Sequence, residues 1–147
     1  MISNSAAQTQ QIAEAIGQRL KGGEVIELAS DLGGGKTTFV HGLARGLGST
    51  DQVSSPTFMI NKVYNGAKLD LYHFDFYRLD DPGLMEYELH DVLDDPKAVV
   101  VTEWSDVMAR VLPAERLTIR LERTGDESRS LDISCPPALK YLVEDLR

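Results

Sequence analysis

Apolar residues at four-residue spacing open the pattern of this chain: Ile12, Ile16 and Leu20 predict an amphipathic helix over about 6–21, stopped by Gly22-Gly23. Glu24 to Ala29 is a short, largely apolar run that reads as a strand, and Phe39, Val40, Leu43, Ala44 and Leu47 then return to helical spacing. Gly46 and Gly48 weaken and end that second helix. Met59 to Tyr64 is strand-like, and a turn at Asn65-Gly66 leads into Lys68 to Arg78, the strongest hairpin signal in the chain. Alternation there puts Tyr72, Phe74 and Phe76 on one face, expected to be core, and His73, Asp75 and Tyr77 on the other.

Asp81-Pro82 reads as an N-cap followed by proline at the first helical position, and Leu84, Met85, Leu89, Val92 and Leu93 give that third helix its apolar side. Ala98 to Thr102 is a continuous β-branched run, as expected of a parallel strand buried on both faces. Leu117, Ile119 and Leu121 alternate with polar residues, and after a turn at 124–126 Leu131 and Ile133 continue the alternation, predicting an antiparallel hairpin. Beyond Pro136-Pro137, Leu139, Leu142, Val143 and Leu146 predict a closing amphipathic helix. The elements therefore predict an α/β fold, one domain over residues 1–147, with a mixed central sheet, flanking helices and a C-terminal antiparallel hairpin.

Composition narrows the partners. A net charge of -8, with Lys and Arg scattered, argues against a large nucleic-acid footprint and for docking on a protein. The single cysteine, Cys135, reads as a small buried hydrophobe, and no apolar run approaches a membrane span. The N-terminus lacks the regions of a signal peptide, so a cytoplasmic location is expected.

The candidate chemistry begins at Asp31-Leu32-Gly33-Gly34-Gly35-Lys36-Thr37-Thr38. Consecutive glycines allow a concave nest of backbone N–H groups, Lys36 would reach the outer phosphates of a nucleotide, and the Thr37 hydroxyl would ligate Mg²⁺. Strand, glycine loop and helix together predict a P-loop NTPase-like three-layer fold. The first glycine of the usual pattern is Ser30. Glu103, at the end of the β-branched run, is the preferred acidic partner of Thr37 at the metal. Asp75 either orients the attacking water, holds a metal-bound water or lies on a solvated polar strand face, and Thr57, after Ser55-Pro56, either brings a hydroxyl to the metal and γ-phosphate or marks a plain turn. Ser5 or Thr9 either caps the first helix or touches a nucleotide base. Asn61-Lys62-Val63-Tyr64 fails as a guanine-reading signature, because Tyr64 replaces the required Asp.

Taken together, the glycine-rich stretch through Phe39, Ser55-Pro56-Thr57-Phe58, His73-Phe74-Asp75-Phe76-Tyr77-Arg78-Leu79, Asp81-Pro82 and Glu103-Trp104 resemble the TsaE family in order and spacing. The resemblance implies a small P-loop ATPase, with ATP and Mg²⁺ as cofactors, in the threonylcarbamoyladenosine modification of tRNA. It implies TsaD and TsaB as partners, tRNA being met only through that assembly, with hydrolysis linked to turnover of the assembly. By residue, it implies Gly33, Gly34, Gly35, Lys36, Thr37 and Thr38 at the phosphates, Thr37 and Glu103 at Mg²⁺, Asp75 in hydrolysis, Thr57 on a switch loop and Thr9 near the nucleotide. Two positions depart from the family pattern: Ser30, and Glu88 where a glycine usually precedes Leu89-His90-Asp91. Two other classes fit a phosphate loop, a small-molecule kinase and a nucleotide-dependent interaction module without catalysis. No acceptor domain or arginine-rich lid is evident for the kinase.

Overall fold

The computed structural model describes residues 1–31, 33–53 and 61–146. Strands β1 (Ile2–Ser3), β2 (Val25–Ala29), β3 (Asn61–Asn65), β4 (Asp70–Asp75), β5 (Ala98–Glu103), β6 (Leu117–Arg123) and β7 (Arg129–Ser134) form one sheet in the order β1-β7-β6-β2-β5-β4-β3. The middle of the sheet is parallel: β2 pairs with both β5 and β6, and β4 pairs with β5. Both margins are antiparallel, β3 on β4 and β7 on β6, with β1 extending the β7 side. Helices α1 (Ala6–Gly17) and α2 (Lys36–Gly46) lie with the larger core, built on Ile26, Leu28, Val101 and Ile119. Helix α3 (Met85–Leu93) packs through Leu89 into a smaller core with Val25, Phe74, Phe76 and Val100. Consecutive residues of β5 enter opposite cores, Val99 and Val101 one and Val100 the other, as a β-branched run in a doubly covered strand should.

The contact between α1 and α2 is set by three glycines. A Cβ at Gly42 would lie 2.3 Å from the Gln10 carbonyl oxygen, and one at Gly17 would lie 2.5 Å from that of Leu43. A Cβ at Gly46 would meet Cα of Gly17 at 2.7 Å. Helix-interior glycine is unfavourable in isolation. Here it lets two backbones touch, which fixes the axis of the helix that begins at Lys36.

Several boundaries differ from the sequence expectation. Helix α1 ends at Gly17, short of Lys21, and Ser5 is its cap, accepting from the Gln8 N–H at 3.1 Å. Helix α3 starts at Met85, with Leu84 at its cap position and no capping side chain. Asp81-Pro82 does not start it, because Gly83 adopts φ +47°, outside the right-handed helical region. Leu84 consequently points to solvent, 82% exposed. The closing segment is a 3-10 helix over Pro137–Leu142 rather than an α-helix, although Leu139 and Leu142 are buried as expected. Val143, at φ -120°, ends it before Leu146. Strand β1 is too short to leave a periodic signal, yet Met1 and Ile2 hold β7 through backbone pairing.

Gly42→Ala gains about 1 kcal/mol of helix propensity against an overpacking cost of about 1–3 kcal/mol. The backbone overlap decides the sign, so the variant should unfold at lower urea concentration than wild type, measured by circular dichroism.

Candidate functional site

The register of the parallel strands brings the candidate residues to one edge. Asp75 lies beside Glu103 across β4 and β5, and Leu28 lies beside Glu103 across β2 and β5. All three stand at the carboxyl ends of their strands, where α/β sheets form their ligand sites. The glycine-rich turn leaves β2 at this edge and returns as α2. Gly33 and Gly35 take φ of +79° and +102°, and Gly34 N–H donates to the Asp31 carbonyl at 3.1 Å. Only glycine adopts such angles without strain.

Ser30 alters this turn less than its position suggests. Its hydroxyl donates to the Asp31 carbonyl at 2.9 Å, and a Cβ at Gly34 would sit 2.3 Å from that hydroxyl oxygen. The serine side chain therefore occupies the space beneath Gly34, and the absence of a side chain at Gly34 accommodates it. The second departure, Glu88, sits on the exposed side of α3 and accepts from Asn61 Nδ2 at 3.3 Å.

Lys36 opens α2 and is buried, with 8% of its surface exposed. Its ammonium donates to the Ser30 carbonyl at 2.9 Å, faces Glu103 Oε1 at 3.8 Å and lies 4.9 Å from the Trp104 ring centroid. Glu103 is also buried, and its other oxygen is 2.7 Å from His73 Nε2. An ionised carboxylate only accepts, so Nε2 carries the hydrogen in that bond. His73 itself is fully buried, and its Nδ1 has no hydrogen-bond partner among the described residues. Alternation correctly set His73 opposite Phe74; the His73 face is covered as well, because Leu71 on that face belongs to the larger core beneath α1 and α2, whereas Phe74 enters the smaller one.

Asp75 is half-buried, and its Oδ1 accepts from the Tyr77 N–H at 3.0 Å. Burial pushes its carboxyl above the usual aspartate range; the Tyr77 hydrogen bond opposes this, and the negative Glu103 adds to it. Tyr77 has left the strand and packs at a tilt against Trp104, with ring centroids 5.0 Å apart and planes at 54°.

A cavity of about 310 Å³ joins these groups, lined by Gly33, Gly34, Gly35, Lys36, Thr37, Thr38, Asp75, Glu103, Trp104 and Arg129. Thr9 lies away from it. It is buried, shares a hydrogen bond with the Ser3 hydroxyl at 2.6 Å, and lines a smaller cavity of about 110 Å³ with Gly35, Thr38 and Arg129. A larger cavity, about 630 Å³, borders the other flank of the loop toward β6. It contains none of Lys36, Thr37, Asp75 or Glu103, so the candidate chemistry belongs to the 310 Å³ cavity. Thr57 and the rest of 54–60 lie outside the described residues. Arg129 escaped the sequence reading because it is 95 residues from Gly34, and no local spacing connects a hairpin arginine to a distant loop.

No group of three or more His, Cys, Asp or Glu side chains among the described residues could hold a metal ion. Such a cage is not what Mg²⁺ needs: it is commonly held by one or two protein oxygens, phosphate oxygens and water. Thr37 and Glu103 on the same cavity supply hard oxygen donors of that kind.

A mixed sheet flanked by helices, with a glycine-rich turn between its central strand and a helix opening on lysine, is the P-loop NTPase-like architecture. The model for the threonylcarbamoyl adenosine biosynthesis protein TsaE matches residues 3–131. A Bacillus subtilis (strain 168) protein, tRNA threonylcarbamoyladenosine biosynthesis protein TsaE, is 44% identical over 128 residues, covering 84% of this chain and 77% of that protein. The protein of the same name from Treponema pallidum is 37% identical over 139 residues, covering 90% of this chain and 98% of that one. The crystal structure of Bacillus subtilis YdiB superposes with a TM-score of 0.78 at 36% identity, covering 99% of this chain and 91% of that chain. The chain belongs to the TsaE family.

The raised carboxyl of Asp75 has a stability consequence. A folded pKa above the unfolded one means that the folded state favours the proton, so this contribution is present below the ordinary aspartate range and is lost as pH rises through the folded value. Asp75→Asn keeps an oxygen for the Tyr77 N–H but has no charge to bury. It should melt above wild type at pH 7, with the gap narrowing as pH falls through the raised folded value and closed once pH is below the ordinary aspartate range, read by differential scanning calorimetry.

Proposed function

We propose that this chain is a Mg²⁺-dependent ATPase serving the threonylcarbamoyladenosine modification of tRNA. The observation that carries the reading is the buried Lys36, at the mouth of the glycine turn and facing Glu103 across the ends of the central strands. In this reading the backbone N–H groups of 33–38 cradle the phosphates, and the start of α2 aims its positive dipole end at them. Lys36 exchanges its bonds with Ser30 and Glu103 for the outer phosphate oxygens. Thr37 and Glu103 would hold Mg²⁺, which when bound would neutralise charge developing on the phosphates. His73 keeps the Glu103 carboxylate oriented through their 2.7 Å hydrogen bond.

Asp75 accepts a hydrogen bond from the attacking water and directs it toward the terminal phosphorus. Phosphoryl transfer relies mainly on positioning and electrostatic stabilisation, so a carboxylate that orients water suffices without strong basicity. Thr9, on the smaller cavity it shares with Gly35 and Thr38, borders the flank of the phosphate turn. Membership of the TsaE family supports the pathway and TsaD and TsaB as partners, with tRNA met through their assembly. Hydrolysis is then linked to turnover of the assembly rather than to the transfer chemistry.

Wild-type chain should hydrolyse ATP slowly alone and at a changed rate with TsaD and TsaB, by phosphate release. Lys36→Ala should lower the rate by about 100-fold or more in both conditions; an unchanged rate in both would refute the site. The position of Lys36 over the Trp104 ring gives a second readout. Tryptophan fluorescence should change when ATP with Mg²⁺ draws Lys36 toward phosphate, and the change should be absent in Lys36→Ala.

A further inference from the structure

Arg129 opens β7 beside the glycine turn. Its Nε donates to the Gly34 carbonyl at 3.1 Å, and its Nη1 donates to the Ser128 carbonyl at 2.8 Å. The Gly125 carbonyl accepts a longer bond from Nη1 at 3.5 Å. The Nη2 hydrogens have no acceptor among the described residues. The guanidinium also makes no ion pair among the described residues, whereas Lys36 already faces Glu103.

A Cβ at Gly35 would sit 3.4 Å from Arg129 Nε, so the side chain lies directly against the turn. Arg129 borders both the 310 Å³ cavity and the 110 Å³ cavity. Asp126 and Glu127 also line the smaller cavity without pairing with Arg129, which leaves a partly buried cation with unused donors beside the glycine turn. The planar guanidinium suits phosphate oxygens better than a point charge does, because it offers several donors in a fixed plane.

The geometry points to Arg129 as a ligand of the nucleotide phosphates, supplied to the loop by the C-terminal hairpin. Nη2 donates to a phosphate oxygen while Nε keeps its bond to the Gly34 carbonyl, so one side chain touches both loop and ligand. The inference rests on the nucleotide reading of the site and adds a binding residue to it. It also ties the hairpin, and β1 paired to it, to occupancy of the loop.

Binding of ATP with Mg²⁺ to wild type, Arg129→Gln, Arg129→Lys and Lys36→Ala, measured by isothermal titration calorimetry, tests it. Thermal melting without nucleotide verifies that each variant is folded. Glutamine retains an N–H donor for the Gly34 carbonyl but no charge, whereas lysine retains the charge and loses the fork. Arg129→Gln should raise Kd about tenfold or more, and Arg129→Lys should recover part of the loss. Arg129→Gln binding ATP as tightly as wild type or Arg129→Lys, while Lys36→Ala does not, overturns the role of Arg129 and leaves the nucleotide site standing. Wild-type affinity in Lys36→Ala overturns the site itself.

Discussion

The constraint on which this edge of the molecule depends is the burial of Glu103. A carboxylate with 3% of its surface exposed, at the end of a strand covered on both faces, is costly unless each oxygen has a partner. One oxygen has His73 and the other faces Lys36. These partners come from β4 and from the first turn of α2, so satisfying one charge requires the two parallel neighbours and the glycine turn in register. The packing of α1 on α2 serves the same end. If Gly42, Gly17 and Gly46 did not let the helices touch, the α2 axis would move, and Lys36 with it.

Because Lys36 is held by a carbonyl and a carboxylate, it is positioned without being saturated. An ammonium has three donors and can trade either partner for a more highly charged phosphate oxygen. Glu103 behaves in the complementary way, since it can face a metal through the oxygen turned toward Lys36 while His73 keeps the other. Asp75 completes the contrast. It is less buried than Glu103 and lacks a cationic hydrogen-bond partner; its own burial, with the like charge of Glu103 added, disfavours its ionised form.

Much of this was legible in the sequence because the relevant signals are local. The turn between Ala29 and Lys36, the doubly buried run at Val99–Val101 and the 117–133 hairpin each carry their own periodicity or glycine signature. Long-range features left no comparable trace. Arg129 reaches Gly34 from the hairpin on the far side of β6 from β2, and the burial of His73 depends on the helices that cover its face of the sheet. The α3 start was misplaced for a local reason of another kind: Asp81-Pro82 has the chemistry of a cap, but Gly83 turns the backbone out of the helical region before a helix can form.

Trp104 shows how the strand end is closed. Directly after Glu103 the backbone takes φ 55° and ψ 49°, a left-handed conformation that costs a non-glycine residue about 1–2 kcal/mol. That bend ends β5 at the carboxylate and lets the chain turn at once into the 3-10 segment from Ser105. The Ser105 hydroxyl donates to Glu27, which Arg116 also contacts at 3.1 Å, so the return path is anchored to β2 and to the approach to β6. The indole is left over Lys36 and against Tyr77. A ring there shields one side of the ammonium from water while leaving the glycine side open, which strengthens the pull of Lys36 on any anion entering from the loop. The local strain therefore serves the same arrangement as the buried carboxylate: both turn a strand end into an electrostatically defined wall of the cavity.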